Sequence, residues 1–289
     1  MSVFTEPEYR FTTALQNGKR LVTCQASNSL LVTDADGSIS AVVKAEFQMP
    51  QGVVESKATG DIFVVDRYAG CVKVFRPFDS EEDISHHHPS MLRRPFGCVK
   101  VPRPFDSDQD ILTSHYRTIG AGALNQPVGI AIDHERDELY VADNENHRIA
   151  AFKTDGTFLL TLGRGYGQEL GQLFCPCGVA FYKNIVVVAE WGNGRLQVFK
   201  DGKSIVAIGG MPHAHDVAVN DKGEGFLALY SHKAVQRFRI TLNDDGYPCI
   251  EFDWGGDRIS LEHNPTSLFF DENGKLGVVT KTKLLRDVY

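Results

Sequence analysis

LNQPVGIAIDHERDELYVADNENHRIAAFKTDGTFLLTLG, residues 124–163, opens on Pro127-Val128-Gly129. A β-rich run follows, and then a second that ends on Asp143. The same order recurs. Pro176-Cys177-Gly178 leads to Glu190, and Pro50-Gln51-Gly52 leads to Asp66. Two weaker copies run from Ala214-His215-Asp216 to Tyr230 and from Pro265-Thr266-Ser267 to Lys281. A sixth, without its proline, is read from Lys19 to Asp34. Self-similarity at a period of roughly 40–50 residues marks a repeat array, and four strands per unit mark a β-propeller. The expectation is an all-β, six-bladed ring in a single domain over 1–289.

One spacing is out of line. The second runs end at Asp34, Asp66, Asp143, Glu190, Tyr230 and Lys281, and the gap from Asp66 to Asp143 is 77 residues. Inside it, CVKVFRPFDSEEDI at 71–84 returns as CVKVPRPFDSDQDI at 98–111, offset by 27. Without those 27 residues the gap becomes 50, an ordinary unit. The duplication is too short for a blade. It reads as a looped-out insertion at about 72–98. Pro102 stands in the second copy where the first has Phe75. Proline cannot donate to a ladder, so the first copy is the better strand.

The chain has 289 residues, 42% of them hydrophobic, enough for one large core. The start, MSVFTEPEYRF, has acids where a signal peptide needs an apolar run. No apolar stretch reaches the ~20 residues of a membrane span. Six scattered cysteines read as reduced core thiols, and a cytoplasmic protein is expected. The last unit supplies only three strands. The segment 9–15 is expected to close the ring as the outer strand of that last blade, protecting an open edge.

The pieces Pro-x-Gly-hydrophobic-Ala, Leu-Tyr-Val-Ala-Asp and Asn-His-Arg-Ile at 127–149 resemble the NHL repeat family, and 174–210 and 49–75 are similar. The resemblance implies a propeller. It leaves the activity open, because this fold carries both binding modules and enzymes. Three readings follow. One is a non-enzymatic platform for protein partners. The second is RNA binding, as in the NHL domains of tripartite-motif proteins, some of them ubiquitin ligases. The third is a metal-dependent lyase similar to the peptidyl-hydroxyglycine amidating lyase.

That lyase places three histidines at the x position of Pro-x-Gly. Here the expected channel positions are Lys19, Gln51, Val128, Cys177, His215 and Thr266. One His and one Cys do not fill a tetrahedral zinc site. No cofactor or metal is therefore expected. RNA needs a basic field, and this chain has a net charge of −7, with acids at the ends of four second runs. The platform is the favoured reading. Its expected contacts are Trp191, Tyr68, Tyr230 and Arg67 in polar loops, since Trp, Tyr and Arg dominate hot spots. The packing alternative is that each aromatic rests on the next blade. His147 and Arg148 are read as structural residues of the repeat.

Overall fold

The computed structural model describes residues 9–34, 37–77, 110–112, 115–252, 258–271, 273–281 and 283–285. Among them, strands gather into six separate sheets. The first sheet holds β1 (Tyr9–Ala14), β2 (Arg20–Cys24), β3 (Ser29–Thr33) and β4 (Ile39–Lys44). The second has β5 (Pro50–Glu55), β6 (Ile62–Asp66), β7 (Cys71–Phe75) and β9 (Arg117–Ile119); β8 (Asp110–Leu112) instead joins β4 in parallel. The third is β10 (Pro127–Asp133), β11 (Glu138–Asp143), β12 (Arg148–Lys153) and β13 (Phe158–Leu162). The fourth is β14 (Pro176–Tyr182), β15 (Ile185–Glu190), β16 (Arg195–Lys200) and β17 (Lys203–Ile208). The fifth is β18 (Ala214–Val219), β19 (Glu224–Leu229), β20 (Ala234–Leu242) and β21 (Pro248–Phe252), with β22 (Arg258–Ser260) also on β20. The sixth is β23 (Pro265–Phe270), β24 (Leu276–Thr280) and β25 (Leu284–Leu285).

The fold is thus an all-β propeller. Against the expected six four-stranded blades, five sheets are complete and the sixth has three strands among the described residues. The first strand of each sheet lies beside the first strand of the next, and β23 returns to β1. The blade cores are the β-branched runs. Ile62–Asp66 and Ile185–Glu190 are buried throughout. Clusters such as Phe63, Val72, Ile130 and Val141 fill the space between neighbouring sheets. Glycine in the repeat keeps first strands close. A Cβ on Gly52 would lie 2.7 Å from the Val128 carbonyl oxygen, and one on Gly178 would lie 2.6 Å from the Asp216 Cα.

Ring closure differs from the expectation. The segment from Tyr9 is the innermost strand of the first sheet, not the outer strand of the last. It pairs antiparallel with β2, with Tyr9 opposite Cys24 and Thr12 opposite Val22. That places Tyr9-Arg10-Phe11 where other units carry Pro-x-Gly. The closing contacts are the Tyr9 N–H donating to the Lys281 carbonyl at 2.9 Å and the Thr266 hydroxyl donating to the Tyr9 carbonyl at 3.3 Å. The first unit starts one strand earlier than the expected Lys19–Asp34, because neither a proline nor a glycine marks its first strand.

The duplication also changes in its bounds. β7 is fully buried, and Phe75 packs on Phe47 with ring centroids 5.5 Å apart. Its outer neighbour in the sheet is β9, which follows the duplicated stretch. The chain therefore leaves the sheet after Phe75, not at residue 72. The second copy, up to residue 109, lies outside the described residues, as do His86, His87, His88, Arg93, Arg94 and Trp254.

Candidate binding face at the mouth of the ring

Register fixes the two faces. In each sheet the start of the first strand lies opposite the end of the second, as Pro127 does to Asp143 and Pro176 to Glu190. The turns joining second to third strands therefore share one face with the segments leading into first strands. These turns are 25–28, 67–70, 144–147, 191–194, 230–233 and the one that carries Lys281 and Lys283.

One device is repeated beneath this face. Asp66, Asp143 and Glu190 are fully buried. Each accepts backbone N–H groups from the segment leading into its own sheet: Met49 at 2.8 Å, Asn125 at 2.7 Å and Phe174 at 3.0 Å. Each also pairs with a base from the third strand: Lys73 at 2.8 Å, Arg148 at 2.7 Å and Arg195 at 2.6 Å. His147 adopts a left-handed backbone, and its Nδ1 accepts the Cys175 N–H at 3.3 Å. These residues hold turns. They do not make the face acidic, as the sequence suggested. Asp34, the fourth acid, ends near β3, on the opposite face, 3.9 Å from Lys19.

Lys19 accordingly leaves the channel set. It sits in the turn between β1 and β2, and Arg10 takes the equivalent position on the first strand. Gln51, Val128, Cys177, His215 and Thr266 occupy matching places at the starts of their first strands, all buried. Phe11 stands where three other units have glycine. It packs with Val128, Cys177 and Trp191 and plugs the channel at this level.

The structure brings Trp191 and Tyr230 together, with ring centroids 5.4 Å apart. His213 stacks on Trp191 at 4.5 Å, and His215 lies 5.7 Å from both aromatics. Trp191 is half-buried on the next blade, so the packing alternative holds for part of its surface. Tyr68 is apart from this cluster and 62% exposed. Arg67 donates to the Gln126 side-chain oxygen at 2.8 Å, across to the next blade. Tyr166, missed in the sequence, is 65% exposed and packs its edge on Phe174 at 4.9 Å. His213 directly precedes β18. Its signal was its place just before a first strand, shared with Gln126 and Cys175, all three at positive φ.

The electrostatics at the plug suit packing more than chemistry. Burial, with Arg10 and Arg67 nearby, lowers the His215 pKa to about 4, so its ring is neutral. Burial pushes the Cys177 thiol up to about 12. A protonated thiol beside one imidazole is a poor ligand set, because a metal takes the thiolate.

Comparisons agree with this geometry. The NHL repeat family matches residues 124–152. The Drosophila melanogaster protein named brain tumor is 31% identical over 108 residues, covering 35% of this chain and 10% of that protein. The chain thus spans about a tenth of the length of that relative. Among solved structures, virginiamycin B lyase from Staphylococcus aureus superposes with a TM-score of 0.58 at 13% identity, covering 98% of this chain and 95% of that one. A chain of the nidogen/laminin complex gives 0.57 at 14% identity, covering 86% and 82%. At such identities these structures speak for the fold alone.

Proposed function

This chain is an NHL-repeat β-propeller, and from that premise we propose that it is a non-enzymatic platform that binds a protein partner on its turn face. In this reading the ring has six blades, with the three-stranded sheet as the sixth. The observation that carries it is that the packed pair Trp191 and Tyr230 and the exposed rings of Tyr68 and Tyr166 all lie on one face of the ring, around a sealed channel mouth. Aromatic side chains combine large contact area with low entropy cost, and an arginine beside them is a common anchor. Arg67 supplies one.

A specific observation favours single-stranded RNA as the second reading. With the repeat acids buried, the six turns carry Arg67, Lys233, Lys281 and Lys283 against Glu145 alone. Bases stack on aromatics where a basic surface holds the phosphates.

The test is affinity capture from lysate of the source cells, with and without ribonuclease. Wild type is compared with Arg67→Ala/Tyr68→Ala and with Lys222→Glu on the opposite face. The platform predicts captured proteins that survive ribonuclease, persist with Lys222→Glu and disappear with the double variant. Indifference to the double variant would sink the assignment of the face. Loss on ribonuclease treatment would move the reading to RNA.

A further inference from the structure

Below the plug the channel widens into a cavity of about 710 Å³, open on the face opposite the aromatic cluster. Phe11, Asp216 and Ser267 line its closed end, and charges of both signs its mouth: Glu55, Lys57, Asp221, Lys222 and Asp271. The volume lies within the ~300–1,000 Å³ typical of small-molecule pockets. Among the described residues each first strand pairs only with the second strand of its own sheet. The inner edges of the ring therefore turn backbone N–H and C=O groups toward this space, and the Leu268 N–H already serves the Asp216 carboxylate.

At the glycine position of the repeat one unit carries a charge. Where Gly52, Gly129 and Gly178 stand in other units, β18 carries Asp216. Its carboxylate is buried and accepts the N–H groups of Val217 and Leu268, each at 2.9 Å. Among the described residues no basic group forms an ion pair with it. On its own strand it has the neutral ring of His215 beside it. β14 offers the Cys177 thiol, and β23 the Ser267 hydroxyl and the Leu268 N–H. Arg10 and Arg67 act on His215, on the sealed side of the plug. A carboxylate buried without a cation costs several kcal/mol. The protein relieves the cost when empty by holding the proton, with the pKa raised to about 7 by burial.

We propose that this channel is a binding pocket for a small organic cation carrying a primary ammonium group, with Asp216 as its counter-charge. The strand carbonyls supply further acceptors for the ammonium protons. A bare metal fits less well: among the described residues no group of three His, Cys, Asp or Glu side chains is placed to hold one. The site is separate from the turn face and does not depend on the function proposed for it.

The probe is n-butylammonium chloride, followed by protein chemical shifts, with n-butanol as the neutral control. Saturable one-site binding of the ammonium is expected at pH 8.5, at least ~10-fold tighter than the alcohol. Binding weakens at least ~10-fold at pH 5.5, where Asp216 is protonated. Asp216→Gly abolishes it, and three other units show that the backbone accepts glycine here. Asp216→Asn is the second variant should the first fail to fold. No saturation at pH 8.5, equal binding of n-butanol, or unchanged binding in a folded Asp216 variant would overturn the proposal.

Discussion

At the scale of single residues, the buried acid–base pairs are the repeat's structural signature, and their cost is uneven. Arg195 is 11% exposed, and besides Glu190 it holds the Gln172 carbonyl at 2.7 Å. Arg148 is 29% exposed and holds the Ala123 carbonyl beside Asp143. Removing one partner of a buried pair strands the other charge, at about 3–5 kcal/mol. Arg195→Ala should therefore lower stability by about 3 kcal/mol or more, and Arg148→Ala by roughly half of that, since Arg148 is itself more exposed and water can enter the space it leaves beside Asp143. Denaturant midpoints check both; equal losses would show that burial does not set the cost. Asp216 makes a prediction in pH. Its folded pKa lies above the unfolded value, so the folded state binds the proton more tightly. The stability this group contributes is present below about pH 4 and is lost as pH rises toward 7. The ceiling is about 4 kcal/mol for a carboxyl raised from the ordinary aspartate range to about 7. Asp216→Gly should then gain on wild type as pH rises from 4 to 8. A difference between the two that does not change with pH would refute the shift.

At the scale of elements, the duplication offers a controlled comparison. Deleting 72–98 or deleting 77–103 removes 27 residues each, and the products differ at one position. The first keeps Pro102 in the third strand, and the second keeps Phe75. Phe75 lies opposite Ile62 and is 1% exposed. Proline there removes a ladder donor and empties an aromatic site, at about 3 kcal/mol or more. The 77–103 deletion should melt near wild type, and the 72–98 deletion well below it. If both melt alike, β7 is not the strand that matters. The same elements show what was legible. Units with Pro-x-Gly were placed in register from sequence, because the proline sets the start and the glycine the close approach. β1 was not, because Phe11 fills the axis where glycine would leave it open. The pairing of Tyr9 with Cys24 depends on contacts made across the ring, which no local pattern states.

At the scale of the whole molecule, the ring sorts its chemistry by face. Aromatic and basic side chains gather on the turn face, the plug seals the axis, and the buried carboxylate of Asp216 lies in the cavity behind. The aromatic candidates Trp191, Tyr68 and Tyr230 were legible as loop residues after second strands. Their division into a packed pair and a free ring was not, since it depends on His213 reaching back from the next sheet. Net charge misled for a related reason: it counts Asp66, Asp143 and Glu190 as surface, and folding buries all three. The central claim is that the turn face makes the functional contact. Photo-crosslinking tests it directly, with benzoylphenylalanine replacing Tyr68 on that face or Lys222 on the other. After irradiation with the captured partner, adducts should form from position 68 and not from position 222. Adducts from position 222 with none from position 68 would contradict the account.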